Sequence, residues 1–155
     1  MSSPSVSAWL AAHAPQVRAV DGHASTATVA DAAAALGVEP GRIAKTLCIR
    51  VSGEVLLLVT RGDARLDNAK RKAVFGGRPR MLGPEEALAL TGHPVGGVCP
   101  FGLKTALPVC CDMSLRAFAT VFPAAGTRTS SVEMQPDELA RTTRARWVDV
   151  CVLPG

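Results

Sequence analysis

Apolar and polar positions along the chain break into short segments, each bounded by glycine, proline or a capping residue. "TVADAAAALGVEP" predicts a helix with Thr28 as N-cap, Asp31 at the third helical position, an alanine-rich body and Gly37 just past its end. "KTLCIRV" and "EVLLLVT" are β-branched, apolar runs joined by Ser52-Gly53, the pattern of a hairpin. "GPEEALALTG" predicts a second helix, with Pro84 at its first position, Glu85 and Glu86 at the favourable end of the helix dipole, and Gly92 as its stop. "LPVCCDM" and "FATVFP" predict strands, "QPDELARTT" a short helix and "RWVDVCVL" a final strand. Strands interspersed irregularly with short helices predict an α+β fold: one domain over residues 1–155, a mixed β-sheet, partly barrel-like, with packed helices, rather than a doubly wound parallel sheet.

Composition fits that picture. The 155 residues suffice to bury roughly two-thirds of the unfolded surface. No run approaches the roughly eighteen apolar residues of a membrane span, and the N-terminal "MSSPSVSAWLAAHAPQ" lacks the positive start and long apolar stretch of a signal peptide. A cytoplasmic location without a membrane partner is the expectation. Cys48, Cys99, Cys110, Cys111 and Cys151 contain no C-x-x-C, so they read as small buried hydrophobes in a reducing compartment. His13, His23 and His93 lie far apart without ligand spacing, so neither a metal nor a cofactor is expected. G-x-x-x-x-G-K-[ST] and a strand-borne G-x-G-x-x-G are both absent, which disfavours the nucleotide-binding folds that use them.

Charge adds a direction. Seven basic residues (Arg61, Arg65, Lys70, Arg71, Lys72, Arg78, Arg80) face only Asp63 and Asp67 between positions 61 and 80, a local +5 against +4 for the whole chain. Such a patch suits a polyanion, nucleic acid above all, and equally suits a solvated helix face. Tyrosine is absent and the other aromatics are four Phe and two Trp, too few for a platform that stacks single strands.

Several residues are candidates for chemistry. Lys45 opens the first strand, where an ammonium can project into a cleft or snorkel to water. "GHPVGGVCPFG" packs four glycines and two prolines around Cys99, the composition of a tight corner or of a pocket wall. Cys99 has no recognisable His–Asp arrangement and reads as a structural or pocket-lining thiol before a nucleophile. Asp112 reads as a cap or as a site carboxylate, and Ser130 and Ser131 as a turn or as ligand contacts.

Taken together, "RIAKTL", "GDARLDNAK", "TGHPVGGVCPFG" and "SVEMQPDEL", in this order and spacing, resemble the YbaK/EbsC family of aminoacyl-tRNA deacylases, related to the editing domain of bacterial prolyl-tRNA synthetases. The resemblance runs from about Ala24 to the C-terminus. It implies a free-standing trans-editing hydrolase, without metal or cofactor, that cleaves the ester of a mischarged tRNA, commonly proline tRNA carrying a small amino acid. Prolyl-tRNA synthetase enters as a candidate partner. The family's G-x-x-x-P loop falls on Gly96 to Pro100 and its lysine on Lys45. On this resemblance Lys45, Gly96 and Gly97 are the expected catalytic positions: the lysine anchors phosphate or ester, and the glycines bring backbone N–H groups to the oxyanion. Val98, Cys99, Pro100, Asp112 and Ser131 are the expected substrate contacts, and Arg61, Arg65, Lys70 and Arg71 meet the acceptor stem. The position of Cys99 accepts serine in this family, against a nucleophilic role. The competing class is a module of the same fold that grips tRNA or a nucleotide without hydrolysis, and Lys45 with an intact loop favours the enzyme.

Overall fold

The computed structural model describes residues 2–21 and 24–154; His23 lies outside them. The chain begins with α1 (Pro4–His13), capped by Ser3, whose hydroxyl accepts from the Val6 N–H, and buries Val6 and Leu10. A short strand β1 (Ala19–Asp21) follows. Helix α2 (Val29–Leu36) starts as its sequence dictates: Thr28 Oγ1 accepts from Asp31 N–H at 3.0 Å, and Gly37 ends it at φ 68°. A 3₁₀ turn over Pro40–Arg42 leads into β2 (Ile43–Val51).

Strands β2 and β3 (Glu54–Arg61) form an eight-pair antiparallel hairpin whose turn residues Ser52 and Gly53 both have positive φ, 52° and 82°. That combination matches the right-handed twist of the strands it joins. Next come β4 (Arg65–Leu66), α3 (Asn68–Phe75, capped by Asp67), β5 (Arg80–Met81) and α4 (Pro84–Thr91). The C-terminal part holds β6 (Val109–Asp112), a 3₁₀ segment Met113–Ala117, β7 (Phe122–Pro123), β8 (Ser130–Val132), α5 (Pro136–Thr143), β9 (Arg146–Val148) and β10 (Cys151–Val152).

The main sheet is mixed, in the order β5-β2-β3-β6-β9, with β7 also on β2. Its β3–β6, β6–β9 and β2–β7 pairs are parallel, which excludes a simple meander. β1–β8 and β4–β10 form separate two-stranded ribbons. The fold is thus the α+β class that the pattern predicts, but the described sheet stays open between β5 and β9 rather than closing into a barrel.

Alternation along the strands assigns the two faces. Leu57 and Val59 of β3 join Cys111, Phe101, Leu115, Met134 and Leu139 in one apolar cluster; Leu58 joins Ile49, Cys110 and Val148 in another, covered by Val74 and Phe75 of α3. The adjacent cysteines of β6 are explained by this: Cys110 and Cys111 face opposite sides of a sheet buried on both.

Two predicted strands come out shorter than their apolar runs. "FATVFP" is a strand only over Phe122–Pro123, where β7 reaches β2. "RWVDVCVL" splits into β9 and β10, because the Val150 N–H turns to the Asp112 carboxylate (2.8 Å) and the Val150 carbonyl accepts from Asp67 N–H (2.8 Å), so β10 leaves the main sheet for β4. No helix among the described residues is long and apolar enough to cross a membrane.

Candidate functional site

One edge of β2 is divided between two short strands. β7 pairs Ile43 and Ala44, β5 pairs Ile49 and Arg50, and the opposite edge is fully occupied by β3. Between them, among the described residues, lies an unpaired stretch closed at Cys48, whose carbonyl accepts from Leu82 N–H at 3.0 Å. Backbone groups alternate along a strand, so Thr46, two residues from Cys48, directs its peptide into this gap. A cavity of about 210 Å³ opens there. Its lining comes from β2 (Ile43 to Thr46, and Cys48), the entry to α2 (Thr26 to Val29), the loop after α4 (Val95, Gly96, Val98), and Met81, Phe122 and Ser131 among others.

Of the positions proposed from sequence, Lys45, Gly96, Val98 and Ser131 come together on this cavity. Lys45 is half-buried, and its ammonium donates to the Ala64 carbonyl at 2.6 Å; burial pulls its pKa below the ordinary lysine value of 10.5. It shares a face of β2 with Leu47 and Ile49, whereas Thr46 faces the other way with Ala44 and Cys48. Both neighbours reach one cavity because the edge between them is open. Ser131 is 2% exposed and sits in β8, between β1 and a bridge to Ala124.

The loop is held by its own residues. Gly92 ends α4 at φ 77°. His93 is buried, and its Nε2 lies 2.6 Å from the Phe101 carbonyl; that oxygen only accepts, so the proton is on Nε2. Burial also lowers the His93 pKa. Gly96 has φ 88°, and a Cβ there would stand 2.8 Å from the Ala27 Cβ, so the loop approaches the α2 entry as only glycine allows.

Gly97, Cys99, Pro100 and Asp112 do not line the cavity. The Gly97 N–H donates to the Pro94 carbonyl (2.9 Å) and its carbonyl accepts from Gly126 (3.1 Å), so this amide is already committed within the protein. A Cβ at Gly97 would meet Thr127 N at 2.8 Å, placing its close approach against backbone rather than open space. Cys99 is fully buried in the core beside Pro100, with its thiol pushed up to about 12 by burial. Asp112 is 1% exposed and caps the 3₁₀ segment, accepting from Ser114 N–H (2.9 Å) and Val150 N–H (2.8 Å).

The basic stretch divides likewise. Arg61 pairs bidentately with Asp63 and stacks over Phe118, and Lys70 bonds Asp149 and the Cys151 carbonyl. Arg65 and Arg71 have no ion pair among the described residues. α3 covers the face of the sheet toward which Lys45 projects. No group of His, Cys, Asp and Glu among the described residues has the arrangement of a metal site.

Sequence reading passed over Thr26, Thr46, Met81 and Phe122. For Thr46 a signal was present: the residue after a site lysine on an edge strand faces the opposite side of the same edge. Thr26 had none, since its place depends on a bond from its N–H to the Arg128 carbonyl across the fold.

The chain is similar to known proteins over most of its length. Residues 23–142 match the family model of the aminoacyl-tRNA editing domain. The chain is 50% identical over 129 residues to YwhH of Bacillus subtilis, an uncharacterized protein, covering 82% of each. It is 28% identical over 131 residues to EbsC of Enterococcus faecalis, named as a candidate Cys-tRNA(Pro)/Cys-tRNA(Cys) deacylase, covering 83% of this chain and 77% of that one. The crystal structure of a candidate trans-editing enzyme for prolyl-tRNA synthetase superposes with a TM-score of 0.86 at 34% identity, covering 99% of both chains.

Proposed function

Because this chain belongs to the aminoacyl-tRNA editing domain family, we propose that it is a trans-editing deacylase, residues 1–155 acting as one unit, that hydrolyses a small amino acid from mischarged proline tRNA. The observation that carries this reading is the cavity at the open edge of β2, where Lys45, Gly96 and Ser131 converge. Its volume of about 210 Å³ is below the usual range of sites for drug-sized ligands. It has room for an alanyl, seryl or cysteinyl group, and the sparing of prolyl rests on the shape of its rigid ring rather than on this volume. A second, small pocket has a physical purpose, since a synthetase pocket rejects a substrate one methylene smaller by only about 1–3 kcal/mol.

An ammonium carries three donors. With one spent on the Ala64 carbonyl, Lys45 keeps two for the terminal phosphate or ester of the tRNA. Arg65 and Arg71, without ion-pair partners among the described residues, are free to meet acceptor-stem phosphates, and Arg61 and Lys70 contribute less because carboxylates already hold them. Ester cleavage demands little beyond this: a bound water, a held carbonyl, and dipoles aimed at the developing charge. The setting is the cytoplasm, with prolyl-tRNA synthetase as the partner whose errors it removes.

The test is single-turnover deacylation of proline tRNA charged with alanine, serine, cysteine or proline. Hydrolysis of one or more small esters with prolyl-tRNA spared is expected. Cleavage of prolyl-tRNA at the same rate ends the editing role, and tight tRNA binding without hydrolysis makes the protein a binding module.

A further inference from the structure

Two threonines on the cavity, Thr26 and Thr46, have hydroxyls that are shut off from water and have no hydrogen-bond partner among the described residues. Thr26 is itself only 7% exposed. A buried hydroxyl without a partner is an unfavourable arrangement that folded proteins largely avoid. Two such groups on one cavity, from separate elements, point to a ligand that completes them.

The surroundings decide what that ligand atom is. Among the described residues no Asp or Glu lines the cavity, whereas Lys45 does, with its ammonium held by the Ala64 carbonyl. The start of α2 lies on it too, with Val29 on the lining and the first N–H groups of the helix left without intrahelical acceptors. Asp31 in the first turn is exposed; it accepts from Ser25 and its own N–H is held by Thr28, so it leaves Val29 free. The field in the cavity therefore favours negative charge. Meanwhile the Gly97 N–H, the natural backbone donor of the loop, is consumed by Pro94.

We propose that the Thr26 and Thr46 hydroxyls are oxyanion donors, stabilising the negative oxygen that forms when water attacks the aminoacyl ester. This rests on the deacylase reading above. The water oxygen bonds to the ester carbonyl carbon, and the carbonyl π pair moves onto its oxygen, which the two O–H groups receive. The pair then returns, the carbon–oxygen bond to the ribose breaks, and the departing ribose oxygen takes the proton given up by the water. As placed, both hydroxyls are shut off from the cavity as they are from water, and a rotation about χ1, which carries hydroxyl and methyl together to new staggered positions, turns each O–H toward the ligand.

Thr26→Val and Thr46→Val test this on the full-length protein, each with its serine counterpart. Each valine variant lowers kcat on the mischarged tRNA about 100-fold or more with KM little changed, the signature of a donor used only in the transition state. Each serine variant stays within several-fold of wild type. Affinity for an uncleavable amide analogue of the aminoacyl end is unchanged in all four, which also certifies the folded site, and melting temperature is unchanged or raised in the valine pair. A valine variant with kcat within twofold of wild type, or equal loss with serine and valine, overturns the donor role while leaving the deacylase standing. Inactivity of the wild type on every mischarged tRNA removes the deacylase reading and this inference with it.

Discussion

Asp112→Ala separates a structural carboxylate from a substrate contact, two roles its sequence context leaves open. In the fold this carboxylate receives two backbone N–H groups, Ser114 at 2.9 Å and Val150 at 2.8 Å, and faces the Cys151 thiol, which burial and this carboxylate push up to about 12. Loss of the cap on the 3₁₀ segment costs about 1 kcal/mol. The Val150 N–H, on a residue with no exposed surface, is left unpaired at a further cost of about 1–3 kcal/mol. The total is about 2–4 kcal/mol. At this chain length about 1 kcal/mol moves the melting temperature by roughly 2–4 °C, so a fall of roughly 6–12 °C is expected for a loss near 3 kcal/mol. Asp112→Asn keeps one acceptor and falls between alanine and wild type. Thermal denaturation measures both, and deacylation is assayed well below either transition, where the folded fraction of Asp112→Ala retains most activity. A variant that melts with wild type yet cannot deacylate refutes the reasoning and returns Asp112 to the substrate.

The remaining predictions concern charge, thiols and glycines. Lys45 deprotonates at lower pH in the folded protein than in the unfolded chain, so between its lowered pKa and 10.5 the unfolded chain binds more protons and this group makes stability rise with pH. Deacylation falls over the same rise as the ammonium is lost, and Lys45→Arg moves that limb upward; a pH profile identical in the arginine variant refutes the anchoring role. All five cysteines are buried, so a disulfide reagent titrates them slowly at neutral pH and rapidly after denaturation, and Cys99→Ser or a chelator leaves activity intact; an acyl group trapped on Cys99 contradicts this. Neutralising Arg65 with Arg71 reduces the salt dependence of tRNA binding by about 0.9 in log–log slope for each phosphate no longer neutralised, more than neutralising Arg61 with Lys70. Gly97→Ala presses a Cβ onto Thr127 N at 2.8 Å and so lowers melting temperature as well as activity, whereas a purely pocket-filling effect leaves stability unchanged.

Local signals carried the reading where a few adjacent residues decide the outcome. Thr28 and Gly37 bound α2, Ser52-Gly53 turns the hairpin, and Pro84 and Gly92 bound α4, each through backbone chemistry contained in the segment. The runs that failed depend on distant partners. "RWVDVCVL" is one continuous apolar strand until Asp112, 38 residues earlier, claims the Val150 N–H. The candidate site divides along the same line: Lys45, Gly96 and Ser131 belong to motifs and were legible, while Thr26 reaches the cavity through a long-range bond to Arg128. The mixed sheet was readable as a class, but its openness is set by where β5 and β7 stop on β2.

That stopping point is what makes a site from an ordinary edge strand. An exposed strand edge invites pairing with any other chain, and proteins blunt such edges with short strands, charge or covering loops. Here β2 is covered at both ends and left open in the middle, and the start of α2 and the Gly96 loop close over the opening. The gap is too short for another strand. Its two central residues, Lys45 and Thr46, point their side chains to opposite faces by the alternation of the strand, yet both line the cavity at the edge. In the proposed reading, an ammonium and a hydroxyl from consecutive residues serve one ligand, which an interior strand cannot arrange. Lengthening either covering strand closes the opening, so the proposed activity requires that β5 and β7 stay short.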